Sequence, residues 1–352
     1  MKRSRAPSAA GSSSVDLLAL ADYVEKFSTK TVVLLGDFVA DEFQYGEISR
    51  VSREAPVLIL RHRETHLVPG GGANAANNLA ALGARVLPIT AVGHDAAGDA
   101  LIAHFKARHV DVSGVLRVKE WATPTKTRYL AGWAHTVGQQ VLRVDREPQG
   151  ALSPAVRKKI GTLLNAKIRA ADALAVSDYG FGIATAELVR GVTAKRKTLP
   201  VTLDARYQLK AYAKAAVTSA TPNEAELEAL HHTPIGQNLD ELERCGRSTL
   251  SEMKLRALLV TRGRDGMALF ERSGGMVQIP IHGSNQAVDV TGAGDTVLAS
   301  YSLALASGAS PLEAAHIANI AGGLVVMKRG TATVSREELL DGIRQEAAGA
   351  SS

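Results

Sequence analysis

The 352-residue chain carries a single cysteine, Cys245, which excludes an intramolecular disulfide framework and suits a reducing compartment. No stretch approaches the ~18 consecutive apolar residues that span a bilayer. Lys2, Arg3 and Arg5 precede alanines, but Gly11, Ser12, Ser13, Ser14 and Asp16 interrupt the apolar segment a secretory leader needs. Residues 1–14 therefore read as a flexible tail, and the expected location is the cytoplasm, with no membrane partner. Neither a Gly-x-Ser-x-Gly elbow nor a Walker-type loop occurs, and no Gly-x-Gly-x-x-Gly follows the first strand, which argues against hydrolase, P-loop and Rossmann dehydrogenase chemistry. His62, His66, His94, His104, His109 and His135 have no metal-ligand spacing with cysteine.

What is present is the composition of a folded protein, 45% hydrophobic and 22% charged. The formal charge of +6 raises the question of nucleic acid. The basic residues are scattered, however, apart from the N-terminal group and Lys195-Arg196-Lys197, and no aromatics interleave with those runs to stack bases. A small anionic substrate fits this pattern better, with no nucleic-acid partner.

Apolar, β-branched runs that end in Gly, Asp or Ser recur along the chain and alternate with helical stretches. Thr31–Leu35 ends at Gly36-Asp37, Val86–Ala91 at Gly93, Ala173–Val176 at Ser177-Asp178, Val201–Leu203 at Asp204, and Ala257–Val260 at Thr261-Arg262-Gly263. The helical stretches include one capped by Ser14, then 75–82, 154–169, 224–230 and 296–307. This alternation predicts a largely parallel sheet covered on both faces, with ligands beyond the C-terminal strand ends. Residues 45–66 and 122–146 are strand-like without following helices, and predict a small separate β-sheet acting as a lid, a dimer surface or both.

Two motifs carry chemistry. In Asp289-Val-Thr-Gly-Ala-Gly-Asp295, Gly292, Ala293 and Gly294 open an apolar helix, so backbone N–H groups and the helix dipole can hold an anion. An acid beside an anion hole reads as a base that takes a proton from an attacking hydroxyl; alternatively, Asp295 simply caps the helix. In Pro69-Gly-Gly-Gly-Ala-Asn74, consecutive glycines bring the backbone close to a ligand or to a neighbouring element. Asn74 offers both a donor and an acceptor, which suits a polyol.

Gly71-Gly72-Ala73-Asn74, with Gly83 and Gly93 at their spacings, resembles the first signature of the ribokinase-like (PfkB) carbohydrate kinases. Asp289–Asp295 with Ala299 resembles the second, and Ser300 departs mildly from it. The resemblance covers roughly residues 30–340. It implies an α/β fold, a ribokinase-like three-layer sandwich with a mostly parallel central sheet and a small β-sheet lid. The kinase domain would span residues 15–345, with lid strands from 45–66 and 122–146. It implies Asp295 as base, Gly292–Gly294 as anion hole, and Asp41 and Asn74 as sugar ligands. Asp37, Gly71, Gly72, Gln140 and Asp178 are further substrate-side positions. On the ATP side it implies Asn223, Glu226, Thr261, Arg262, Gly263, Gly266 and Asn319. Glu226 would help organise Mg²⁺ through water, and a monovalent cation is a further expected cofactor. Taken as residues alone, Asn223 and Glu226 read equally as an ordinary helix start after Pro222.

Within that family, Gly36–Asp41, Tyr45-Gly46, Ser49–Pro56, Gln139–Asp145, Asp178-Tyr179, Thr221–Asn223 and Gly330-Thr331 resemble the heptose-7-phosphate kinase branch. That kinase is also the N-terminal half of a bifunctional ADP-heptose synthesis enzyme, and the expected unit here is the kinase alone. The branch's Ser-Asp-Tyr-x-Lys-Gly reads Ser177-Asp-Tyr-Gly-Phe181-Gly182 in this chain, without the lysine. Arg50, Lys126, Arg128 and Arg143 are then the candidates for holding a distal phosphate. The expected reaction is ATP-dependent phosphorylation of O1 of D-glycero-D-manno-heptose 7-phosphate, in a homodimer joined through the lid strands. Another sugar, sugar phosphate or nucleoside as acceptor is the alternative, as is a non-catalytic sugar- or nucleotide-binding regulator on the same fold.

Overall fold

The computed structural model of the chain describes residues 15–132, 139–283 and 286–350. The tail and Ser14 with its expected cap lie outside these residues, as do 133–138 of the second lid segment. In chain order the strands are β1 (Thr31–Gly36), β2 (Phe38–Val51), β3 (Leu58–Gly71), β4 (Arg85–Gly93), β5 (Val115–Val118), β6 (Thr125–Gly132) and β7 (Gln139–Arg146). They continue with β8 (Ala173–Asp178), β9 (Val201–Ala205), β10 (Ser219–Ala220), β11 (Ala257–Thr261), β12 (Met267–Glu271) and β13 (Val277–Ile279).

Nine strands form one sheet in the order β13-β12-β11-β10-β9-β8-β1-β4-β5. It is parallel except where β12 and β13 pair antiparallel at one edge. Side chains alternate between its two faces. Val32 and Leu34 enter the core beneath helices Gly72–Ala81, Ala293–Ala306 and Pro311–Val325, whereas Val33 and Leu35 enter the core beneath Pro154–Lys167, Ala186–Thr193 and Leu239–Glu252. Burial on both faces is what the unbroken apolar runs encode. Cys245 lies buried in the second core.

The other four strands form a separate sheet, β3-β2-β6-β7. β2 leaves the main sheet one residue after β1 and runs 14 residues without a break, so this sheet starts earlier than the alternation at 45 suggests. β3 returns antiparallel and delivers Gly71 opposite Phe38. The first helix also differs from expectation, beginning at Leu20 and passing at Lys26 into a 3₁₀ turn. Among the described residues no helix is long and apolar enough to cross a membrane.

Candidate active site

The helix after β13 fixes the centre of the site. Gly292 is its N-cap with φ of 81°, a left-handed conformation that suits glycine, and a Cβ there would lie 2.4 Å from the Asn74 Nδ2. The helix begins at Ala293, so Asp295 sits in its first turn and caps nothing; the helix-cap alternative is thereby excluded. Asp295 is 4% exposed. Its Oδ2 accepts a hydrogen bond from the Asn74 amide at 2.9 Å and its Oδ1 one from the Tyr179 hydroxyl at 3.3 Å. Burial pushes its pKa up to about 7, and the Asp41 charge acts in the same direction, against the Asn74 and Tyr179 hydrogen bonds. A carboxyl poised near neutrality can take a proton at physiological pH.

Asp295 opens onto a cleft of about 630 Å³ at the C-terminal strand ends, where open α/β sheets bind ligands. Two further hollows share walls with it. On one side, past Thr261, Val290 and Gly294, lies an apolar slot of about 360 Å³ walled by Met267, Ile281, Val297 and Val326, with Asn319 at its edge. On the other, past Lys126, Arg143, Tyr179 and Arg206, lies a polar hollow of about 510 Å³. The sequence of compartments is thus an apolar slot, an acidic centre and a basic pocket.

Asp204, Glu226 and Asp295 line the acidic centre. Burial raises the pKa of Asp204 well above the usual carboxylate range, and the Glu226 and Asp295 charges add to this. Burial raises Glu226 as well. Among the described residues no three acidic or imidazole groups converge tightly enough to cage a metal. Mg²⁺ commonly binds one or two carboxylates together with substrate phosphates and water, and the Asp204–Glu226 pair fits that role. The Thr221 hydroxyl on the cleft wall is buried and has no hydrogen-bond partner among the described residues.

In the basic pocket the Lys126 ammonium lies 5.0 Å from the Tyr179 ring centre, and the Arg206 guanidinium approaches the same ring at 5.9 Å. Neither cation has a carboxylate within ion-pair distance among the described residues. Burial depresses the Lys126 pKa, and Arg206, Arg143 and Arg128 push it the same way against Asp41. Arg143 is held by Asp145, and Arg128 by Asp41.

The expected residues distribute unevenly. Asp41, Gly71, Lys126, Arg128 and Arg143 line the cleft, as do Gly292, Gly294, Asn223 and Glu226, while Gly263, Gly266, Ala293 and Asn319 line the slot and Thr261 both. Asn223 and Glu226 also form a capping box, so the helix-start reading holds alongside cleft exposure. Several residues take other places. Arg50 and Gln140 lie on exposed stretches of the small sheet, outside the cleft. Arg262 turns inward to Glu224 and the Gly236 carbonyl, and Arg264 lines the slot instead.

Asp37 is fully buried, accepting N–H groups from Tyr179, Phe181 and Ile183 at 2.8, 3.1 and 3.2 Å, so it shapes the loop that carries Tyr179. Asp178 accepts the Tyr212 hydroxyl at 2.7 Å and the Gly180 N–H. Asn74 and Gly72 are buried behind the wall, where Asn74 holds Asp295 rather than facing the cleft. Asp204, Arg206 and Tyr207 escaped the sequence reading. Their signal was Asp204 itself, an acid at the end of a buried strand.

Comparison with known proteins gives the family and the fold. The sequence pattern of the pfkB family carbohydrate kinases matches residues 30–338. The bifunctional protein HldE of Geobacter sulfurreducens is 37% identical over 310 residues, 88% of this chain and 62% of that protein. HldE of Gluconacetobacter diazotrophicus is 37% identical over 316 residues, 89% of this chain and 64% of its own. The chain thus spans less than two thirds of the length of these relatives. Among solved structures, Arabidopsis thaliana ribokinase complexed with ribose and ATP superposes with a TM-score of 0.69 at 21% identity, covering 90% of this chain and 99% of that one. Escherichia coli phosphofructokinase-2 in complex with substrates and products gives 0.70 at 20% identity, covering 92% and 100%. At these identities the structures establish the ribokinase-like fold.

Proposed function

We propose, for a chain that belongs to the pfkB family of carbohydrate kinases, that it transfers the γ-phosphoryl group of ATP to O1 of D-glycero-D-manno-heptose 7-phosphate. The observation that carries the sugar-phosphate part is the basic pocket beside Asp295, where Lys126 and Arg206 flank one aromatic ring with no carboxylate within ion-pair distance among the described residues. A half-buried lysine and an exposed arginine beside one ring are suited to a dianion at the far end of an acceptor whose near end reaches the base. The motifs resembling the heptose-7-phosphate branch support the choice of sugar.

In this reading adenine enters the apolar slot beside Asn319, and the phosphates run past Gly294 and Thr261 toward the Gly292–Gly294 N–H groups. Asp41 and Gly71 line the sugar's place in the cleft. Asp295 accepts the proton of the attacking hydroxyl while the first turn of the helix takes up charge on the transferring group. Asp204 and Glu226 would hold Mg²⁺ through water, and the ion would supply further neutralisation of that charge. A monovalent cation belongs to the same reading, as does action in the cytoplasm. The edge strand β7 exposes Leu142 and Val144, and pairing two small sheets in a homodimer would cover that edge.

The test is ATP turnover with heptose 7-phosphate, the unphosphorylated heptose, fructose 6-phosphate and ribose. Heptose 7-phosphate should give the highest kcat/KM and a product carrying a second phosphate on C1 by ³¹P NMR. A better unphosphorylated substrate would overturn the sugar-phosphate reading and leave the family activity standing.

A further inference from the structure

Behind Asp295, away from the cleft, lies a run of buried polar side chains that the reaction as described does not use. Asn74, Asn78 and Thr296 are each 0% exposed. The Thr296 hydroxyl donates to the Asn78 Oδ1 at 3.0 Å, the shorter of its two contacts, the other acceptor being the Gly292 carbonyl at 3.3 Å. The Asn78 amide nitrogen donates to the Asn74 Oδ1 at 3.2 Å and to the Asn74 backbone carbonyl at 3.0 Å. The Asn74 amide nitrogen donates to Asp295 at 2.9 Å and to the Gly292 carbonyl at 3.4 Å. Every amide proton in the run has an acceptor, and both amide oxygens have donors.

The polarity of this run is set by the backbone. The Asn74 and Gly292 carbonyls can only accept, so each side-chain amide must turn its nitrogen toward them. Reversing Asn74 alone would set its oxygen against the Asp295 carboxylate and the Gly292 carbonyl, and its nitrogen against the Asn78 nitrogen. Among fully buried groups each such contact is costly.

We propose that Asn78, backed by Thr296, is a positioning residue for phosphoryl transfer: it locks the Asn74 amide with its donor side on Asp295, holding the base in one rotation. The inference rests on the kinase reading for its catalytic meaning. The geometry it invokes is that of the folded chain. Helical spacing brings Asn78 to Asn74, since the two are four residues apart on helix Gly72–Ala81.

The variants Asn78→Leu, Thr296→Val and Thr296→Ser test it, all retaining the groups that surround Asp295, namely Asp41, Lys126, Asp204 and Tyr179. Without Asn78 the Asn74 amide loses the donor on its Oδ1, one of the contacts that fix its rotation, and its hydrogen bond to Asp295, which favours the ionised form, is held less firmly. In Asn78→Leu the acid limb of the kcat–pH profile should move up by about one unit, which is about tenfold in rate below the limb. The KM for ATP should stay within twofold. Thr296→Val should shift the limb in the same direction by less, and Thr296→Ser should restore it.

A folded Asn78→Leu protein with an unmoved limb would overturn the proposal. If that variant does not fold, the Thr296→Val and Thr296→Ser pair decides the matter by the same criterion. A wild type without sugar-kinase turnover would sink the functional reading instead. The positioning role would then be read from Tm against pH, where the loss of stability as Asp295 ionises should extend to higher pH in the Asn78 or Thr296→Val variant. Identical Tm profiles would overturn it.

Discussion

Arg128 meets Asp41 at 2.7 Å on the wall of the cleft, with side chains only 14% and 8% exposed. Removing one partner of such a pair leaves a buried charge unanswered, and this costs more than the pair itself contributes. Arg128→Met should therefore lower Tm and raise the acceptor KM about tenfold or more, with the KM for ATP nearly unchanged. Adding Asp41→Asn should recover most of the Tm but none of the acceptor affinity. Recovery of both in the double variant would mean that the pair serves stability alone.

Asp295→Asn should reduce kcat by ~10²-fold or more while leaving nucleotide binding intact, the scale of a lost general base. Wild-type turnover should rise with pH through about 7 as the carboxyl ionises. The stability effect has the opposite sign. With a folded pKa near 7 and an ordinary one of 3.8, the protonated form suits the fold, so its contribution is complete below about pH 4 and lost by about pH 7. The Asn variant should thus be more thermostable than wild type by a few degrees at pH 8, with little difference at pH 4. Calorimetry at the two pH values checks this.

Lys126→Ala and Arg206→Ala should each raise the KM for a phosphorylated acceptor about tenfold, the loss of one charge-assisted contact. Neither should affect an unphosphorylated acceptor as strongly. Arg50→Ala, at an exposed position outside the cleft, should leave both values unchanged. Equal effects of all three substitutions in steady-state kinetics would remove the basic pocket from the argument.

What could be read in the sequence was what depends on local chemistry. Gly292 and Asp295 announced the helix N-terminus because a left-handed residue and an acid in the first turn leave a local trace. The alternating strands and helices did the same for the main sheet. The small sheet resisted finer reading because its register shifts between Ile48 and Arg50 and between Tyr129 and Leu130. Such shifts upset a count by twos and decide which of Arg50, Gln140 and Arg143 faces the substrate. Asp37 and Asn74 were legible as important but not as inward-facing, since their partners at 179–183 and 295 are distant in sequence. Arg206 was marked only by Asp204, the acid that ends the strand before it. It matters only because β9 ends beside β8 and brings it to Tyr179.

The bond between Asn74 and Asp295 joins residues 221 positions apart in the chain. Closing so long a loop is entropically unfavourable until the intervening strands have paired. During synthesis the chain must therefore grow past the helix Ala293–Ala306 before Asp295 meets the Asn74 amide. A shorter nascent chain already carries the glycine turn at 70–72 and the small sheet, but lacks Asp295. The cleft is thus completed only once this helix has been made and docked, and in refolding the closing of the Asn74–Asp295 contact should lag behind the return of secondary structure.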